Sequence, residues 1–152
     1  MNDQELEYVG FWLRVGAAII DTILMFVIVA PVLTWIYGPG YWISEHFIQG
    51  PADFMINWLL PAIAVILFWN YRQATPGKMA IRARIVNAKT GGKASTGQLI
   101  GRYLAYYVSI LPLFFGLIWV GIDKRKQGFH DMLAGTLVVR PKVRGQQTVK
   151  FE

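Results

Sequence analysis

Val15 to Tyr37 reads VGAAIIDTILMFVIVAPVLTWIY, a run of 23 residues whose only charged side chain is Asp21. At about 1.5 Å per residue, a helix of this length crosses a bilayer core of roughly 30 Å. A carboxylate inside such a span costs about 2.5–3.5 kcal/mol, so Asp21 is expected to face protein or a wet cavity and to have a partner. Arg14 precedes it by seven residues, two helical turns toward the interface and on nearly the same face. Trp35 and Tyr37 mark the far end of the span, and Tyr8 to Leu13 (YVGFWL) reads as interfacial. Pro31, in the second half, is a candidate kink.

Outward from this run, the composition agrees with a membrane protein. Of 152 residues, 55% are hydrophobic and 16% are charged. The charged share of a typical soluble domain is about 25%. The apolar residues also fall in blocks, which argues for one small polytopic domain over residues 1–152. There is no cysteine, which excludes disulfides, thiolate catalysis and Cys-based metal or haem sites. The N-terminal MNDQELEYVG carries acidic residues and no base, unlike the basic n-region of a signal peptide, so the first apolar segment is expected to be retained.

The formal charge of +6 is distributed as a topology signal. Seven of the fifteen Lys and Arg lie between Asn70 and Arg102, and seven more follow Asp123, while Gly38 to Asp53 has none. Basic loops stay inside. The expected order is therefore a first span at 15–37, an external loop at 38–53 and a second span at 54–71. A basic cytoplasmic loop at 72–102, a third apolar segment at 103–122 and a basic tail at 123–152 complete the chain. A nucleic-acid partner is not expected, because the bases track membrane topology. Anionic lipid headgroups at the basic face are.

Within the external loop, YWISEHFI is a candidate amphipathic surface helix, and His46 a proton-accessible group. Met79 to Val86 alternates with period two and predicts a strand. GTLVVR (Gly135–Arg140) predicts a second, and the two are expected to pair as a small cytoplasmic β element. Ser95 or Thr96 is placed to cap a helix starting near Gln98. The third apolar segment, Tyr103 to Ile122, is broken by Pro112 and Gly116 and flanked by bases on both sides. A re-entrant hairpin keeps the tail inside, and a plain third crossing also fits its length. The fold class is thus an α-helical integral membrane protein with two transmembrane helices, a Pro/Gly-broken third segment and a small β element.

Three stretches together, FWLRVGAAIIDTIL, TPGKMAIRARIV and IDKRKQGFHDMLAGTLVV, resemble the RDD family of small bacterial membrane proteins, over roughly Gly10 to Arg140. The family is named for one arginine and two aspartates. The resemblance implies that Arg14 is the arginine and Asp21 the first aspartate, with Asp131 or Asp123 as the second. It also matches Thr75, Pro76, Gly77 and Lys78 to the loop after the second helix. It implies a multi-pass protein of the bacterial cytoplasmic (inner) membrane and, as for some members, cation/proton antiport.

Two chemistries follow from these residues. An intramembrane carboxylate can alternate between a proton and a monovalent cation, with Asp21, Asn57, His130 and Asp131 as the oxygen and imidazole ligands of that cation and Arg14 tuning Asp21. Such a transporter is expected to be a homo-oligomer, since two or three helices do not enclose an ion path. Alternatively, Arg14, Asp21 and Asp131 form a buried ionic lock in a non-catalytic interaction or scaffold module. Breaking one partner of such a lock costs about 3–5 kcal/mol. No HExxH, Walker or GxGxxG pattern occurs, so neither an enzyme nor a bound cofactor or metal is expected.

Overall fold

The structure, a computed structural model, describes residues 5–142, 149 and 151. After strand β1 (Leu6–Tyr8), helix α1 runs from Phe11 to Tyr37. A 3-10 turn at Pro39–Ile43 leads to α2 (Pro51–Phe54), which continues through a π-turn at Met55–Leu59 into α3 (Leu60–Arg72). Then come α4 (Pro76–Ala80), β2 (Arg84–Asn87), α5 (Thr96–Ile110), α6 (Phe115–Ile122), α7 (Phe129–Ala134) and β3 (Thr136–Pro141). Among the described residues, two helical stretches are long and apolar enough to cross a membrane. They are Phe11–Tyr37, with mean hydropathy 2.4, and Pro51–Ala80, with 1.8. Their large apolar side chains, such as Phe26, Val27, Ile28, Leu60 and Leu67, point outward, as lipid-facing residues must.

Several boundaries differ from the sequence expectation, each for a local reason. Helix α1 starts at Phe11 instead of Val15, so Arg14 sits in its first turn, and Pro31 lies inside the helix without ending it. Tyr8, expected at headgroup depth, is part of β1. The strand expected from Met79 begins only at Arg84, because Pro76 opens a short helix at its N1 position and the orphan N–H of Gly77 finds an acceptor in Asp21. The stretch expected as an amphipathic surface helix is helical only through Ile43. Beyond it, the chain is held by Gln49, whose backbone N–H donates to Asp53 and whose side chain donates to the Tyr41 carbonyl. Ser95 does cap α5: it accepts from the Gln98 N–H at 3.2 Å, while the Gln98 side chain accepts from the Ser95 N–H at 3.0 Å.

The strands form one antiparallel sheet in the order β1-β3-β2. Tyr8 and Arg84 both oppose Val139, from the two sides of the central strand. Leu137, Val138 and Val139 are buried, because β3 is covered on both faces. Such a strand reads as a continuous apolar run instead of an alternation. On one face, Ile85 and Val138 pack with Val9, Leu99 and Trp69. On the other, Leu137 and Val139 pack with Val86 and Ala88. At roughly 1.5–3 kcal/mol per buried large aliphatic side chain, this small core anchors the ends of the helices.

Between α5 and α6 the axis bends by 100°. Leu113 and Phe114 both adopt the left-handed region, with φ of 51° and 63°. Gly116 lets α6 return closely: a Cβ there would stand 2.8 Å from the Ser109 Cα and 2.8 Å from the Phe129 ring. The lack of a side chain at Gly116 therefore sets how closely α6 approaches α5 and α7.

Candidate functional site

The convergence of α1, α5 and α7 brings two arginines onto one aspartate. From the first turn of α1, Arg14 donates through Nη1 to Asp131 Oδ2 at 2.5 Å. It also donates through Nη2 to the Lys126 carbonyl at 2.6 Å and through Nε to the Val9 carbonyl at 3.0 Å. From α5, Arg102 donates to Asp131 Oδ1 and to Thr136 Oγ1, the latter at 2.7 Å. Its guanidinium lies 5.3 Å from the Trp69 ring centroid and 5.7 Å from that of Tyr106. A third donor, the Gly128 N–H at 2.9 Å, makes Asp131 the cap of α7 as well. The Asp131 and Arg102 side chains are fully buried, and that of Arg14 is 12% exposed.

This surrounding decides protonation. Burial disfavours the Asp131 carboxylate, but Arg102 and Arg14 outweigh it and hold the carboxyl well below its usual range. His130 stacks on Tyr106 with centroids 3.9 Å apart, its Nδ1 lies 3.4 Å from Ser109 Oγ, and its Nε2 is 3.6 Å from Asp131 Oδ2. Burial pushes its pKa down to about 3. The Arg102, Arg14 and Lys78 charges add to that, and Asp131 opposes it. His130 is therefore a neutral ring at physiological pH.

A pH dependence of stability follows. The folded pKa of His130 lies below its unfolded value, so below about pH 6.5 the unfolded chain takes up a proton that the folded chain refuses. Stability is expected to fall by about 1.4 kcal/mol per pH unit from that point toward pH 3. Asp131, whose folded pKa is depressed, contributes stability that is present above its unfolded value near 3.8 and lost as pH falls below it. Chemical denaturation in micelles between pH 8 and 4.5 should show the His130 slope. His130→Phe, which keeps a ring against Tyr106, should flatten it.

Asp21 does not join this cluster. Its Oδ2 accepts from the Thr75 hydroxyl at 2.6 Å and its Oδ1 from the Gly77 N–H at 2.7 Å. The Thr75–Lys78 loop thus docks on α1, and a Cβ at Gly77 would stand 1.9 Å from the Ala17 carbonyl oxygen. Expectations that Arg14 tunes Asp21, or that Arg14, Asp21 and Asp131 form a single lock, are corrected to two separate locks on α1. Seven residues along the helix, Arg14 faces α7 while Asp21 faces the loop. Asp123 is not a partner of Arg14 either: it accepts from the Arg125 and Gln127 N–H groups at 2.9 and 3.0 Å and closes a turn. Asn57, expected near Asp21, instead donates to Asp53 at 2.5 Å, and His46 lies exposed in the loop.

Two parts of the arrangement escaped sequence reasoning. Arg102, counted as one of the loop's topology charges, is the most buried cation of the cluster. Its one local signal is a place directly before an apolar block, with Tyr106 one turn on. At the opposite end of α1, Asp53 is buried and accepts from the Tyr41 hydroxyl and the Gln49 N–H, both at 2.7 Å. The Tyr37 hydroxyl in turn accepts from the Asp53 N–H at 3.0 Å. Burial and the hydrogen bond to Asp53 raise the Tyr41 pKa. Among the described residues, no group of three His, Asp or Glu gathers that could hold a metal ion.

Residues 8–135 match the model of the RDD family. The chain belongs to the RDD family. Among its relatives, the uncharacterized protein YckC of Bacillus subtilis is 33% identical, over 85% of this chain and 82% of that one. The uncharacterized membrane protein YteJ of the same organism is 28% identical, over 90% of this chain and 83% of the relative. An uncharacterized protein of Rickettsia prowazekii is 38% identical over 57% of this chain, which spans only 48% of that relative. No solved structure matches. This RDD chain is a mostly helical membrane protein, and its two α1 locks lie inside the matched residues.

Proposed function

We propose that this RDD protein is a multi-pass protein of the bacterial cytoplasmic membrane and acts as a non-enzymatic interaction module, its helices clamped by the Arg14–Asp131–Arg102 and Asp21–Thr75–Gly77 locks. One observation carries the reading: both oxygens of each carboxylate are taken up by protein donors that join distant elements. An exchange site for cations and protons needs carboxylate oxygens that are free to change partners.

The topology is supported by the sheet. It draws one strand from before α1, one from after α4 and one from after α7. A chain joined in this way crosses twice, and the bent α5–α6 pair leaves and returns on the face where the sheet lies. That face is the cytoplasmic one by its bases. A cysteine introduced at Gln146 is then expected to react only with reagents applied from inside.

Antiport through Asp21 is the second reading. It is favoured by a cavity of about 470 Å³ between α1 and α3 that has Asp21 and Thr75 in an otherwise apolar wall. It also needs a homo-oligomer to enclose a path, with Na⁺, K⁺ or Li⁺ and protons as substrates. Proteoliposomes loaded with a pH dye and pulsed with these cations separate the two readings. The lock reading expects no cation-dependent dye recovery, and a loss of about 1–3 kcal/mol of stability in Asp21→Asn. Recovery that vanishes in Asp21→Asn while the protein remains folded would overturn it in favour of antiport.

A further inference from the structure

We infer that a second cavity, between α1, α4 and α6, binds one anionic phospholipid, with the lipid phosphate on Lys78 and Arg14. The cavity holds about 310 Å³. That is about ten water volumes at roughly 30 Å³ each, room for a phosphate and the first carbons of a chain. Its polar end is formed by Arg14, Lys78, Tyr106 and His130, and its remaining walls are apolar, among them Phe11, Val15 and Leu117. Phe114 and Ile118, which also line it, are 56% and 47% exposed and open the cavity sideways.

Charge complementarity selects the occupant. The side-chain ammonium of Lys78, which lines the cavity, makes no hydrogen bond or ion pair with protein among the described residues. Arg14 uses three of its five N–H donors. Three cations, Arg14, Lys78 and Arg102, stand against two carboxylates, Asp131 and Asp21, and both carboxylates are already engaged. His130 adds no charge because it is neutral. Of the two cations that line the cavity, Arg14 is paired with Asp131, and the charge of Lys78 is left without a partner in a largely apolar wall. A phosphate monoanion satisfies that charge, and an acyl chain satisfies the apolar flank, which a free phosphate leaves bare. Arg14 sits in the first turn of α1, so the polar end falls at headgroup depth. The site is independent of whether Asp21 exchanges ions.

Native mass spectrometry of the full chain, released from micelles titrated with phosphatidylglycerol or with phosphatidylcholine of the same chains, tests this. One phosphatidylglycerol is expected to stay bound, and Lys78→Gln to weaken it by about tenfold or more, beyond the few-fold effect of one surface lysine. Lys89→Gln, which removes the same charge from an exposed turn, should leave it nearly unchanged. Ile118→Trp, which fills the mouth without touching a charge, should also displace it, and serves if Lys78→Gln fails to fold. Equal retention of phosphatidylcholine, equal losses in Lys78→Gln and Lys89→Gln, or displacement of the lipid by millimolar inorganic phosphate would overturn the proposal.

Discussion

Asp131→Asn is expected to lower the unfolding free energy by about 3–5 kcal/mol, the cost of leaving buried charge uncompensated. Among the described residues, Asp131 is the one anion that both Arg14 and Arg102 contact, and Arg102 is fully buried. An amide keeps one acceptor oxygen but removes the charge that both guanidiniums face, and it weakens the cap on α7. Arg14→Gln should cost less, because Arg14 is partly exposed and Arg102 still neutralises Asp131. Combining the two substitutions should recover part of the loss, since the double variant leaves one arginine without its counter-charge instead of two. Denaturant titration in micelles, run as a double-mutant cycle, measures the coupling. Wild-type stability in Asp131→Asn would mean that packing, not charge, joins α7 to α1 and α5.

Gly77→Ala is expected to be as damaging, for a steric reason. A methyl group there would overlap the Ala17 carbonyl oxygen at 1.9 Å and approach the Asp21 carboxyl carbon at 2.9 Å. Helix backbone cannot give way as a flexible side chain can, so α4 must lift from α1. Lifting it breaks the Gly77 and Thr75 hydrogen bonds together and leaves Asp21 without partners in an apolar span. Overpacking and the stranded carboxylate together are expected to cost at least about 3 kcal/mol. Thr75→Val, which removes one hydroxyl donor at nearly constant shape, should cost only about 1–3 kcal/mol. If the two variants proved equally mild, the contact between α4 and α1 would not be tight in solution.

The two cases show what kind of information each level carries. The Thr75–Lys78 loop was legible as a motif, yet nothing in its four residues says that Gly77 is required by the carbonyl of Ala17, sixty residues earlier. The strand predicted from Met79 failed because alternation is a local pattern. The local pattern lost to a proline at N1 and to an acceptor supplied by a distant helix. Arg102 was hidden among loop bases because one charge beside an apolar block looks the same whether it faces headgroups or turns inward.

Hydropathy and charge order alone determined the two apolar spans, the distribution of bases and the interrupted third segment. Lengths, apolar runs and loop charges are summed along the chain and do not depend on what lies across from them. The sequence also placed Arg14 and Asp21 among the residues that matter, because a charge within or beside an apolar run is costly wherever it points, and the resemblance to the RDD family added Asp131. Only the tertiary structure decided the pairing. Residues 117 positions apart meet at 2.5 Å because the bend after α5 returns α7 to the start of α1. Partner choice among buried charges depends on which helix faces converge, and that is a property of packing.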